Sequence, residues 1–297
     1  MSIIEDFHDV PLLSGLAGIA DRYDALLCDV WGVLHNGKTA FPGVSDALRT
    51  FRERGGRVLL LSNAPRPGTA LPAQLEGFGI AAEAYDGILT SGDATRAFLE
   101  TASLGSRVLH IGPDRDLPLF EDIDVELVGE DKADFVLVTG LFDDDTESPD
   151  DYAGALSRWQ GKGLALVCAN PDIIVDRGHT QIYCAGALAR VYEELGGVVI
   201  YFGKPHAPIY GLARQRLADI HGSVIPDSRI LAIGDGVGTD MLGAQGEGLD
   251  ALFITGGIAA ARFGDNVEAP DLALLAAFCR EAGVTPVAAL PRLVWGA

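Results

Sequence analysis

Four short motifs carry the residues whose types invite chemistry. Asp29 opens DVWGVLHNG (29–37), Ser62 lies in LSNAP (61–65), Lys204 in GKPH (203–206), and Asp235 and Asp240 lie in GDGVGTD (234–240). Asp29, Asp235 and Asp240, if brought together, would repel one another and force a proton onto one of them. A divalent cation resolves that conflict, and hard oxygen ligands favour Mg²⁺. Lys204 adds a point charge and Ser62 a short hydroxyl donor. The turns at Gly32-Val33 and Asn63-Ala64 can direct backbone N–H groups at an anion. Such a set binds and neutralises a phosphoryl group, and an aspartate at its centre suits nucleophilic attack. Singly, each motif is weak: an Asp after a strand is usually a turn or cap residue, and GDGVGTD lacks the GxGxxG spacing of a dinucleotide site. The inference rests on their joint occurrence.

The elements that must position these residues are legible as short apolar runs alternating with segments of helical period, the pattern of a largely parallel α/β sheet. Strands are predicted over Ala25–Cys28, Val58–Leu61, Gly87–Thr90, Val108–Gly112, Phe135–Gly140, Leu164–Ala169, Val198–Phe202, Ile230–Ile233 and Ala251–Ile254. Helices are predicted over Val44–Arg54, Ala70–Phe78 and Ala185–Leu195. Asp29, Ser62, Lys204 and Asp235 each follow one of these runs. In an open parallel sheet ligands bind beyond the carboxyl ends of the strands, so four such ends can serve one crevice. The acidic run Asp143–Asp145 reads as a solvated loop.

The spacings divide the chain. Asp29 to Ser62 and Lys204 to Asp235 are each about one strand–helix–strand step, whereas 142 residues separate Ser62 from Lys204. The excess has strands and helices of its own, which predicts a second domain inserted into the first. The core is expected at 1–85 and 180–297, and the inserted α/β cap at 86–179.

Composition bounds the partners. The 297 residues carry 22 Lys+Arg against 42 Asp+Glu, a formal net charge of −20, with 48% hydrophobic residues. That is a globular composition, and its charge argues against a nucleic-acid backbone or an anionic membrane surface as partner. No apolar run approaches the roughly 20 residues that span a bilayer. Cys28, Cys168, Cys184 and Cys279 sit in apolar stretches without metal-ligand spacing, as buried reduced thiols do. The first residues include Glu5, Asp6 and Asp9 rather than the basic start of a signal peptide, so the expected location is the cytoplasm.

With these motifs in this order, the chain resembles the haloacid dehalogenase (HAD) superfamily, and within it the subfamily IIA sugar- and nucleotide-phosphatase-like hydrolases with a large inserted cap. The resemblance runs from about Gly15 to Ile258. It implies a Rossmann-like core with a parallel sheet and an inserted α/β cap, Mg²⁺ as cofactor, and a small phosphorylated substrate. It is compatible with a cap-mediated homodimer. It implies that Asp29 is the nucleophile, that Ser62 hydrogen-bonds the transferring phosphoryl group, and that Lys204 stabilises its charge. Mg²⁺ would be held by Asp29, the Trp31 backbone carbonyl and Asp235, with Asp240 ligating it or holding one of its waters. The cap segment ANPD (169–172) resembles a turn directed at the site, which makes Asn170 and Asp172 substrate-contact candidates; a simple turn is the other reading.

One departure matters. Phosphatases of this superfamily usually read Asp-x-Asp in the first motif, and the second Asp moves protons; here that position is Trp31. General acid–base catalysis is typically worth about 10²–10⁴-fold in rate. His35 is the nearest replacement, with a polar loop residue as its other reading. Three functions follow from the sequence: a Mg²⁺-dependent phosphatase, slow or restricted to good leaving groups; a dehalogenase-type carbon hydrolase, which needs no metal; and a non-catalytic protein that binds a phosphorylated ligand.

Overall fold

In the computed structural model, residues 10–178 and 180–296 are described. The acidic start at Glu5, Asp6 and Asp9 lies outside them. Thirteen strands occur among the described residues: β1 (Ala25–Cys28), β2 (Arg57–Ser62), β3 (Gly87–Thr90), β4 (Arg107–Ile111), β5 (Glu126–Leu127), β6 (Phe135–Val138), β7 (Ala165–Cys168), β8 (Ile174–Arg177), β9 (Thr180–Tyr183), β10 (Val199–Tyr201), β11 (Ile230–Gly234), β12 (Asp250–Ile254) and β13 (Ala288–Leu290). The α-helices are α1 (Val44–Glu53), α2 (Pro72–Phe78), α3 (Ser91–Leu99), α4 (Ala153–Gly161), α5 (Ala185–Glu194), α6 (Ala207–His221), α7 (Leu242–Gly246) and α8 (Leu272–Ala282).

The chain divides into two compact units. One comprises the chain up to Leu61, Leu75–Gly87 and the chain from Ala213 on; the other comprises Ser62–Gln74 and Ile88–Leu212. The first unit is built on parallel strands in the order β13-β12-β11-β1-β2. β1 lies in register between β11 (Cys28 opposite Ile233) and β2 (Cys28 opposite Leu60). Every residue of β1 and β11 is buried, which is why both read as unbroken apolar runs: a parallel sheet covered on both faces has no polar side to show. α1 buries Val44, Ala47, Leu48 and Phe51, the spacing of one helical face. Each large side chain on that face stabilises by about 1.5–3 kcal/mol.

The second unit has its own five-stranded parallel sheet, ordered β10-β7-β6-β4-β5. Its strands alternate between two cores, as a pleat of period two requires. Val136, Val138, Leu166 and Cys168 pack with Tyr152, Leu156, Trp159 and Tyr192 on one face. Phe135, Leu137, Val167 and Ala169 pack with Leu99, Leu119 and Phe202 on the other. β8 and β9 form a separate antiparallel pair.

Two expectations are corrected here. The boundary expected at 179 lies farther along the chain, because α5 and β10 belong to the second unit. β10 pairs in parallel with β7, Val199 opposite Leu166, and Leu188 and Tyr192 of α5 sit in its core. The strand before Lys204 is therefore not in the sheet that carries Asp29 and Asp235. The acidic run is also not wholly solvated. Asp144 has a side chain only 5% exposed and pairs with Arg115 at 2.6 Å and with Arg177, while Asp145 stays exposed. All four cysteines are buried thiols. Among the described residues no helix is long and apolar enough to cross a membrane.

Candidate active site

Asp29, Asp235 and Asp240 come together. Each offers a carboxylate oxygen within 4.8 Å of those of the other two, and all three residues are buried. Asp29 directly follows β1, Asp235 directly follows β11, and these strands are neighbours; the Asp29 amide continues their ladder by donating to the Ile233 carbonyl at 2.8 Å. Asp240 lies on a π-helical turn (Val237–Met241), closed by the Met241 amide on the Gly236 carbonyl at 3.1 Å. The turn folds its carboxylate back, so that Oδ2 accepts from the Gly236 amide at 3.1 Å and the Thr239 hydroxyl at 3.2 Å. Three carboxylates buried this close call for a cation, and the all-oxygen donor set suits a hard divalent ion. The residues present therefore fit Mg²⁺.

Asp235 sits between two glycines. A Cβ at Gly32 would come within 2.0 Å of its Oδ2, and one at Gly257 within 1.9 Å of the same atom. Gly32 also has φ +84°, a conformation that disfavours side chains. The Ile258 amide then donates to Asp235 Oδ2 at 2.6 Å. Sequence reasoning missed this donor; its only signal was the Gly256-Gly257 pair just after β12. Gly32 itself changes role. Its amide donates to the His35 carbonyl at 2.9 Å and is not available to a phosphoryl group as expected. What the position supplies is room for Asp235.

The remaining residues gather in the second unit. Ser62 closes β2, and its Oγ accepts from the Ala64 amide at 3.1 Å, so that amide is committed and the hydroxyl keeps its proton to donate. Asn63 is 3% exposed and its side chain makes three hydrogen bonds. Its Nδ2 donates to Asp172 Oδ1 at 2.9 Å and to the Lys204 carbonyl at 3.1 Å, and its Oδ1 accepts from the Lys204 amide at 2.8 Å. The phosphate contact expected of this turn is through its backbone N–H groups; the Ala64 amide is turned to Ser62 instead, and the Asn63 side chain serves contacts within the protein. Asn170 behaves as a turn residue: its Oδ1 accepts from the Asp172 amide at 3.1 Å. Lys204 is 2% exposed.

His35 does not replace the missing proton carrier. It is 2% exposed, burial pushes its pKa down to about 4, and its Nδ1 accepts from the Gly37 amide at 2.9 Å. A neutral imidazole so held has no proton to give on that nitrogen. One buried polar chain has no counterpart among the sequence motifs. His110 Nε2 lies 2.9 Å from Thr139 Oγ1, and burial raises the pKa of the nearby Asp116 carboxyl.

Comparison with known proteins agrees with this architecture. Residues 26–126 match the family model described as haloacid dehalogenase-like hydrolase, and residues 201–276 match a HAD-hydrolase-like model. A haloacid dehalogenase-like hydrolase from Brucella suis 1330 is 44% identical and superposes with a TM-score of 0.85 over 95% of this chain and 100% of its own. The 5'-nucleotidase YutF of Bacillus subtilis is 26% identical over 85% of this chain and 95% of its own length. The glycerol phosphate phosphatase of Mycobacterium tuberculosis, solved in complex with calcium, is 25% identical, with a TM-score of 0.62 over 81% of this chain and 68% of that one. The chain belongs to the haloacid dehalogenase superfamily of hydrolases. It is a hydrolytic enzyme of the HAD phosphatase type.

Proposed function

We propose that this enzyme is a Mg²⁺-dependent phosphomonoesterase acting on a small soluble phosphate ester, of the nucleotide, sugar or glycerol phosphate kind. The observation that carries the reading is the cluster of three buried carboxylates within 4.8 Å. The substrate class draws support from the nucleotidase and glycerol phosphate phosphatase relatives. Asp29, Asp235, Asp240 and the Trp31 carbonyl would hold the metal, which when bound neutralises the carboxylates and the phosphoryl oxygens. A carboxylate oxygen of Asp29 attacks phosphorus, the P–O bond to the leaving group breaks, and an aspartyl-phosphate forms that water then hydrolyses. Ser62 donates its hydroxyl proton to a phosphoryl oxygen, and Lys204 balances the charge that accumulates there. Asp172 contacts the remainder of the substrate. The net charge of −20 is then no obstacle to an anionic substrate, because the cation and Lys204 set the local field. The buried thiols support a reducing compartment, the cytoplasm.

The leaving group departs without an obvious proton donor. Trp31 has no transferable proton of suitable acidity, and His35 is held neutral. Aryl and acyl phosphates, whose leaving groups need little protonation, should therefore be turned over best. The test is purified enzyme against aryl phosphate, acyl phosphate, sugar phosphates, nucleotides and 2-haloacids, with and without Mg²⁺, beside Asp29→Asn. Mg²⁺-dependent phosphate release abolished by Asp29→Asn is expected. Turnover that survives Asp29→Asn, or halide release without metal, would overturn the reading. Saturable Mg²⁺-dependent ligand binding without turnover would leave a binding protein in its place.

A further inference from the structure

We infer that Asn63 is a positioning residue that sets the backbone of Lys204 and the carboxylate of Asp172 together, through one side-chain amide. The inference rests on the phosphatase reading above, which gives Lys204 and Asp172 their roles. Asn63 lies 109 residues before Asp172 and 141 before Lys204, yet it bonds to both. The Lys204 main chain is gripped on both sides: its N–H donates to Asn63 Oδ1 at 2.8 Å and its carbonyl accepts from Asn63 Nδ2 at 3.1 Å. The second hydrogen of the same Nδ2 goes to Asp172 Oδ1 at 2.9 Å. An amide has two donors and two acceptor sites, and three of those four are spent here. No other common side chain of this size offers two donors and an acceptor in one plane. Asp lacks the donors, Ser lacks the reach, and Leu lacks both.

The surroundings make this arrangement consequential. Asn63 is 3% exposed and Lys204 is 2% exposed, so water cannot replace a lost partner cheaply. Asp172 is anchored from the other side by its own amide, which donates to Asn170 Oδ1 at 3.1 Å. The turn at 170–172 therefore presents a fixed carboxylate to Asn63. A shift of the amide moves the base of Lys204 and breaks the bond to Asp172 Oδ1 at once. One side chain thereby couples a charge-balancing residue to a substrate-contact candidate.

The test uses full-length Mg²⁺-loaded enzyme and 4-nitrophenyl phosphate. Asn63→Ala should lower kcat/KM by about tenfold or more, since small misplacement of a catalytic group is costly. In a double-mutant cycle, Lys204→Ala should lower kcat/KM at least about fivefold less in the Asn63→Ala background than in the wild type, because a misplaced lysine has less to lose. A residue that only stabilises the fold gives an additive cycle, and additivity would overturn the inference. Asn63→Asp supplies an independent readout. It places a carboxylate oxygen against Asp172 Oδ1; one of the pair then takes a proton in mild acid and restores the hydrogen bond. Its activity relative to wild type should rise at least about threefold from pH 8 to pH 5, while the ratio for Asn63→Ala stays flat. A flat ratio for Asn63→Asp also overturns the inference. If Asn63→Asp does not fold, the alanine cycle decides; if neither variant folds, the residue is structural and the inference falls. A wild type without phosphate turnover overturns the phosphatase reading and this inference with it, whereas an active wild type with an additive cycle overturns the inference alone.

Discussion

The indole of Trp31 meets the imidazole of His35 edge to face, with ring centroids 5.2 Å apart, and the two residues share a backbone bridge. Phe78 closes the other side of His35 at 4.7 Å. Trp31 is thus part of an aromatic cluster with His35 and Phe78.

If the missing acid limits the rate, Trp31→Asp should raise turnover of alkyl phosphates more than that of aryl phosphates. The gain for alkyl substrates should fall within the roughly 10²–10⁴-fold range of general acid–base catalysis. Steady-state kinetics on a paired alkyl and aryl substrate checks this, and an equal effect on both counts against it.

Burial of two histidines makes the fold sensitive to acid. His35 and His110 are both held at about pKa 4, against an ordinary value of 6.5, because burial disfavours the imidazolium. The unfolded chain therefore binds more protons between pH 6.5 and 4, so stability falls as pH is lowered through that window. Each imidazole accounts for about 3 kcal/mol at most across it. Urea unfolding at pH 7, 5.5 and 4.5 should show the loss, and His35→Gln should flatten the slope by about one proton.

Asp235→Asn and Asp240→Asn should weaken activation by Mg²⁺. Each removes a negative charge from the cluster while leaving the backbone in place. The metal concentration for half-maximal activity should rise by about tenfold or more, since even outer-shell partners of a metal are worth roughly 10–100-fold. A titration of activity against Mg²⁺ measures it, and an unchanged midpoint would remove that residue from the metal site.

Gly32→Ala should damage both fold and activity. The added Cβ would stand 2.0 Å from Asp235 Oδ2, and φ at this residue is +84°. Backbone strain of that kind costs on the order of 1–3 kcal/mol. Thermal unfolding together with the Mg²⁺ titration separates the two effects, and a variant with wild-type values in both would refute the role given to Gly32.

Much of the core is legible in the amino-acid sequence. The runs 25–28, 58–61 and 230–233 announce themselves because both faces of their sheet are covered, and an Asp at the end of such a run stands out. The carboxylate trio is legible for that reason. Partner choice between strands is not. Val198–Phe202 looks the same whichever sheet it joins, and only its register against β7 decides. β5 has two exposed residues, and β8 is half-buried throughout, so neither carries an alternation strong enough to read. The roles of Gly32 and Asn63 escape the sequence for a different cause. The motif around each points to an anion, whereas each spends its hydrogen-bonding groups on the protein. The contacts of Asn63 also span more than 100 residues, and contacts at that range leave no local pattern.

The hydrogen bonds on Asp235 and Asp240 also bear on ion choice. In both residues Oδ2 is already occupied, by the Ile258 amide in one and by the Gly236 amide and Thr239 hydroxyl in the other. Each side chain is thereby biased to grip an ion with a single tooth. Calcium commonly satisfies its wider, seven- or eight-fold shell with two-toothed carboxylates, whereas magnesium is content with six ligands and keeps water among them. Neighbouring N–H and O–H donors thereby hold the denticity of this pair of carboxylates down.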